Sequence, residues 1–190
     1  TATLSGCSTK DSFVAQIDST PVKPVVGSNG PSICSGNTIV LTSSSATAGT
    51  TYLWNGPSGF SSTVQNPGIT SATTANTGKY VVTARLGNCT SKDSLQITVY
   101  NTLTPDVNAT ITPGANICLG DMVTFRANTK DGGTSPTLQW YLNGMAISGA
   151  NAATWSSNTL TTGDVVYCIF NANWPCLTKP ADTSNSFTIN

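Results

Sequence analysis

Six cysteines carry most of the chemistry open to this 190-residue chain, because the usual proton carriers are missing. There is no His, and all eight acidic residues are Asp, so acid–base work would fall to Asp, Lys, Tyr or Cys. Those Asp lie one or two at a time in turn-rich connections, not as an opposed carboxylate pair. No Gly-x-Ser-x-Gly elbow and no Gly-rich phosphate loop occurs. The sequence therefore offers no catalytic residue, no metal ligand set and no cofactor site. Cys7, Cys34, Cys89, Cys118, Cys168 and Cys176 contain no Cys-x-x-Cys pair, and without His that disfavours zinc. All six are disulfide candidates, which fits an oxidising, extracellular setting.

The elements that must position these cysteines emerge from an internal repeat. Cys34 in "SICSGNTIVLT" and Cys118 in "NICLGDMVTFR" are 84 residues apart. Trp54 in "TYLWNG" and Trp140 in "LQWYLNG" are 86 apart, Gly78 and Gly163 are 85 apart, and Cys7 and Cys89 are 82 apart. Four landmarks at nearly one spacing define a unit of about 85 residues.

Within the unit, apolar residues alternate with polar ones between Gly, Asn, Ser and Pro punctuation. The first unit is expected to form strands near 22–26, 37–43, 51–55, 61–65, 69–73, 79–86 and 92–100, and the second repeats the pattern from about 104 to 189. Abundant Ser, Thr and Asn, with no Glu, make a poor helical mixture. Seven short strands with a Trp on the third predict an all-β chain of tandem immunoglobulin-like β-sandwiches. "NTGKY" reads as a tyrosine corner with Tyr80 as its phenol. The second unit departs, since Asp164 and Val165 follow Gly163. The expected organisation is 1–19, the closing hairpin of a preceding truncated repeat; 20–101, one repeat; and 102–190, another. On that reading the 190 residues are an excerpt of a longer array.

This topology constrains the cysteines and leaves their pairing open. Cys34 precedes the second strand and Cys89 lies in the loop joining the last two, so they belong at opposite poles about 25 Å apart. A disulfide needs Cα atoms about 4.4 to 6.8 Å apart. Three pairings follow: a clip between Cys168 and Cys176 within their own hairpin, a staple from Cys34 to Cys168 or Cys176, and, if the topology differs, Cys34 with Cys89.

Net charge is zero, which removes the basic face that nucleic acid or an anionic membrane surface requires. No apolar run approaches the roughly eighteen residues of a membrane span, so direct membrane insertion is not expected. Trp54 and Trp140 read as core. Trp155 and Trp174 have no assigned place; Trp174 could stack on a sugar ring or pack against a neighbouring repeat. Asp18 and Asp106 occupy matching linkers, where calcium at the domain junctions needs six to eight oxygens; one Asp per junction is too few unless loops contribute the rest.

"ICSGNTIVLT", "YLWNGPSGFSSTVQNPGI" and "TGKYVVTARLGNCTS" resemble the Ig-like and PKD-like repeats of very large Bacteroidota surface proteins, and the second unit, with "ICLGDMVTF", "LQWYLNGMAI" and "TTGDVVYCIFNANWPC", resembles a sister class. The resemblance implies type IX secretion, residence at the cell surface, and adhesion or gliding motility, with neighbouring repeats, surface glycans or other surface proteins as partners. "DST" after Ile17 and "DSL" at Asp93 resemble the O-glycosylation signal of that lineage, making Ser19 and Ser94 candidate acceptors. The function expected is a non-enzymatic stalk or adhesion repeat. The alternatives are a glycan-binding module of a polysaccharide-degrading system and a strand-exchanging filament subunit, in which residues 1–19 would complete another chain's sandwich.

Overall fold

The structure, a computed structural model, describes the backbone of Ala2–Leu4 and Cys7–Thr9, Ser12, and residues 19–190. These form two compact units by their contacts. One comprises Thr38–Thr70 and Ala75–Ile97 together with the segment before Ser32; the other comprises Ser32–Asn37, Ser71–Thr74 and Thr98–Asn190. Among the described residues no α-helix occurs. Asp18 lies outside the described residues, as does the side chain of Cys7.

The first strands, β1 (Ala2–Leu4) and β2 (Cys7–Thr9), pair antiparallel with Leu4 opposite Cys7. The first unit then contains β3 (Val25–Ser28), β5 (Ile39–Ser44), β6 (Thr51–Asn55), β7 (Ser61–Ser62), β8 (Gly68–Ile69) and β9 (Gly78–Leu86). Between β3 and β5 comes β4 (Ser32–Cys34), and β10 (Cys89–Tyr100) follows β9. One sheet runs β3-β5-β8 and the other β4-β10-β9-β6-β7. Strict alternation makes each strand two-faced: β5, "IVLTSS", buries every second residue, and β9 buries Tyr80, Val82 and Ala84. Ile39, Leu41, Trp54, Val82 and Ile97 fill the core, and the Trp54 indole donates to the Gln65 carbonyl at 3.1 Å. The strand expected at 22–26 starts only at Val25, because Pro21 and Pro24 have no N–H to give a ladder.

The length of β10 lets its two ends do different things. Cys89–Ile97 pairs with β9 in the first unit, with Leu86 opposite Cys89 as Leu4 is opposite Cys7. Thr98–Tyr100 pairs in parallel with β4 in the second unit, a ladder the sequence pattern did not announce.

The second unit contains β11 (Asp106–Thr112), β12 (Val123–Lys130), β13 (Thr137–Leu142), β14 (Met145–Ala146), β15 (Thr154–Ser157), β16 (Val165–Asn171), β17 (Ala181–Thr183) and β18 (Phe187–Thr188). Its sheets are β11-β12-β15 and β14-β13-β16-β17, with β18 also on β16. Val107, Phe125, Trp140, Val166, Phe170 and Ile189 share one core. Trp140 repeats the anchoring of Trp54, its indole donating to the Ala152 carbonyl at 3.0 Å. Where one closing strand was expected there are two short ones. Between them Ser184 turns inward, and Asn185 reaches β11, accepting from Ala109 N–H at 2.8 Å and donating to its carbonyl at 3.1 Å.

Candidate functional site

The chemistry of the second unit gathers around one cystine. Cys34 and Cys176 are joined with Cα atoms 5.5 Å apart, across 142 residues of sequence. Cys34 ends β4, which the ladder with Thr98–Tyr100 holds in place, and Ser35 N–H donates to the Tyr100 carbonyl at 2.8 Å. Cys176 lies in the loop after β16, and its carbonyl accepts from Leu103 N–H at 2.9 Å. Leu103 and Leu177 form a parallel bridge, continued by Thr178 N–H to the Leu103 carbonyl at 3.0 Å. Both half-cystines are thus anchored by backbone pairing, so the bond locks an arrangement already built from hydrogen bonds.

Trp174 belongs to the same cluster. Its ring meets Tyr100 edge-on at 5.2 Å, 87° between planes, and its indole N–H donates to the Asn101 carbonyl at 2.8 Å. The loop that carries it is pinned from beneath by Gly132 and Gly133. Asn173 donates to the Gly132 carbonyl at 2.9 Å and accepts from Thr134 N–H at 3.1 Å. Gly133 adopts φ +82°, and a Cβ there would stand 2.1 Å from the Asn173 carbonyl oxygen, so only glycine fits. Trp155 is engaged elsewhere, stacked on Phe125 at 5.5 Å and 24° within the second core. Both indoles are thus half-buried, and each is engaged with another aromatic ring.

The remaining cysteines are dispersed. Cys168 is completely buried on the inward face of β16 opposite Trp140, and burial pushes its thiol up despite a hydrogen bond with Ser184. A hairpin clip from Cys168 to Cys176 is not formed, because strand alternation commits the Cys168 side chain to the core while Cys176 bonds Cys34. A bond from Cys34 to Cys89 is likewise not formed; Cys89 sits half-buried at the start of β10. Cys118 is an exposed thiol before β12.

The other candidate residues stand apart from this cluster. Ser19 is exposed, whereas Ser94 is half-buried inside β10 opposite Val81, with its N–H on Asp93. Asp106 opens β11 opposite Lys130. Among the described residues no three His, Cys, Asp or Glu side chains gather where an ion could be held. The carboxyls that are perturbed serve structure. The Asp164 carboxyl is held below the usual range by Thr161 N–H and the Asn143 amide; that of Asp182 by Lys179 and Val107 N–H; and that of Asp93 by Lys23 and Ser94 N–H. What the pattern could not signal was the role of Tyr100, Leu103 and Gly133, which lie in three different segments of sequence.

Residues 21–102 match the family described as Ig-like domain, CHU_C associated. No curated protein sequence matches the chain. Among solved structures it is similar to murine CEACAM1b, at 14% identity with a TM-score of 0.53 over 88% of this chain and 99% of that one. It is similar also to a chain from the complex of the mouse coronavirus receptor-binding domain with its murine receptor, at 13% identity and a TM-score of 0.54 over 88% and 99%. At such identities the likeness is one of fold, and the fold is the immunoglobulin-like β-sandwich.

Proposed function

We propose that the chain is a non-enzymatic stalk or adhesion segment of a large secreted surface protein, built from tandem Ig-like repeats at 20–101 and 102–190. The observation that carries this reading is the Cys34–Cys176 bond, which ties a residue of the first sequence repeat to one of the second. A covalent tie across 142 residues limits how far a chain can be drawn out while its cores resist unfolding. The family matched at 21–102 and the resemblance to Bacteroidota surface repeats support export to the cell surface, by type IX secretion, and a role in adhesion or gliding. Neighbouring repeats are the first partners, and surface glycans or other surface proteins the more distant ones. The half-buried, ring-packed states of Trp155 and Trp174 weigh against a dedicated sugar platform.

Single-molecule pulling between the two ends tests this. With the cystine intact, the residues between Cys34 and Cys176 stay looped out of the extension. Reduction should release them and lengthen the fully stretched chain by about 500 Å, at roughly 3.5 Å per residue. Equal lengths with and without reductant would overturn the mechanical reading.

A further inference from the structure

The second unit contains the turn that carries Cys34 and also a second copy of that turn, at Cys118. The sequences are Ile33-Cys34-Ser35-Gly36 and Ile117-Cys118-Leu119-Gly120. In both, the cysteine carbonyl accepts the N–H three residues on, from Asn37 and from Asp121, each at 3.0 Å. The glycines share a left-handed backbone, φ +90° at Gly36 and +93° at Gly120. Both turns lie against the end of a repeat's last strand: Ser35 N–H donates to the Tyr100 carbonyl, and Ile117 N–H to the Asn190 carbonyl at 3.2 Å.

The two turns differ in what covers them. At the first, the sulfur is bonded to Cys176, from the loop before the closing strands of the next sequence repeat, and Trp174 and Leu177 of that loop lie alongside. At the second, the thiol is exposed, and the apolar side chains beside it are bare: Leu119 at 84% and Met122 at 58% exposure. Ile117, Leu119, Leu160 and Asn190 line a recess of about 270 Å³ at the same place. A Leu and a Met left in water next to a thiol, at the counterpart of a position that is covered and oxidised, mark a surface made to be covered.

We propose that Cys118 is half of a second cystine of the same kind, formed with a cysteine in the loop before the last strand of an Ig-like repeat that follows Asn190 in the parent protein. This rests on the tandem-repeat reading above. The occupant is specified by the first clamp: a loop with the chemistry of Asn173-Trp174-Pro175-Cys176-Leu177, whose aromatic ring and Leu can cover apolar surface while its cysteine meets the exposed one. Bond formation is a thiol–disulfide exchange. The Cys118 thiolate attacks a disulfide oxidant such as oxidised glutathione and expels one glutathione thiolate. The partner thiolate then attacks the Cys118 sulfur of the mixed disulfide and expels the second. The two cysteines lose two protons and two electrons, and the oxidant becomes two thiols.

The test is the whole chain with a second copy of residues 102–190 joined after Asn190, refolded in glutathione buffer, alkylated and digested without reduction. Mass spectrometry should find the Cys118 peptide joined to the added copy's counterpart of Cys176, with Cys118 alkylation lost and Cys34–Cys176 present in the same molecules. An alkylated Cys118 beside an intact Cys34–Cys176 bond overturns the proposal. So does recovery of Cys118 only in dimers with a second Cys118. Non-reducing digestion of the natural parent protein gives the parallel readout should the added copy not fold: a Cys118 peptide bonded to sequence beyond Asn190 supports the second clamp, and a free Cys118 thiol refutes it. Either refutation leaves the lengthening on reduction of Cys34–Cys176, and hence the stalk reading, unaffected.

Discussion

The region around Trp54 and the region around Trp140 share a fully buried indole anchor but solve the corner that leads into β9 and into β16 with different chemistry. In the first, Tyr80 is fully buried and its hydroxyl donates to the Asn76 carbonyl at 2.8 Å, with Phe60 edge-on to its ring at 5.7 Å. In the second no phenol is present. Asp164 instead accepts from Thr161 N–H at 2.8 Å and from the Asn143 amide at 2.7 Å, while Asn143 in turn accepts from Val165 N–H at 2.9 Å. A buried neutral donor and a half-exposed carboxylate close the same bend. The lesson is that the bend needs its backbone groups satisfied and is indifferent to which side chain does it. Apolar depth is what the two regions cannot exchange, and both keep a fully buried Trp there.

The largest expected effect probes what is common. Trp54→Ala and Trp140→Ala each remove a fully buried indole whose N–H is satisfied, and each should cost about 3–5 kcal/mol in chemical denaturation. Unequal costs would show that the two cores are not equivalent. Next comes the cystine, which among the described residues lies in the second unit. Cys34→Ser combined with Cys176→Ser should lower that unit's stability by about 2–4 kcal/mol, read from its unfolding midpoint in urea. A larger shift in the first unit than in the second would break the assignment of the cystine to the second unit.

The corners themselves should respond more weakly. Tyr80→Phe deletes one buried hydrogen bond and should cost about 1 kcal/mol. Asp164→Ala gives up charge-assisted bonds at a partly solvated site and should cost about as much or somewhat less, in the second unit alone. The smallest contrast is in pH. Burial raises the Tyr80 phenol, so its contribution is complete below the unfolded value of about 10 and is lost as pH climbs through the folded one. Asp164 and Asp182 are lowered, so theirs is complete above the unfolded value of about 3.9 and is lost as pH falls through the folded ones. Thermal scans should therefore show alkaline weakening that Tyr80→Phe reduces, the raised Cys168 thiol supplying a further part, and acid weakening that Asp164→Asn reduces. A Tyr80→Phe variant with the same alkaline slope as the parent would sink the corner assignment.

Much of this was legible in the chain. Alternation located β5, β6, β9, β12, β13 and β16 because a strand with one face buried must repeat every two residues. The tyrosine corner was legible from "NTGKY", and the lack of a phenol at the corresponding place from "TTGDVV". Short elements were not. Three residues of β4 hold no measurable period, and they become a strand only because Thr98–Tyr100 is there to pair with them. The split between β17 and β18 follows from Ser184 and Asn185, polar residues that read as a loop until their side chains are seen satisfying Cys168 and Ala109.

By itself the sequence determined the spacing of its Cys, Trp and Gly landmarks, the all-β class, the Trp anchors, and the lack of His and Glu that leaves little acid–base chemistry to assign. Each of these is a local or periodic property, written in residue types and their spacing. Which cysteine meets which was decided only by tertiary structure. Cys34 had three admissible routes in the pattern, and what selected Cys176 is a 5.5 Å Cα separation between residues 142 positions apart. That distance depends on the β4–β10 ladder, the Leu103–Leu177 bridge and the glycine under Asn173 acting together. No single one of those segments contains the information.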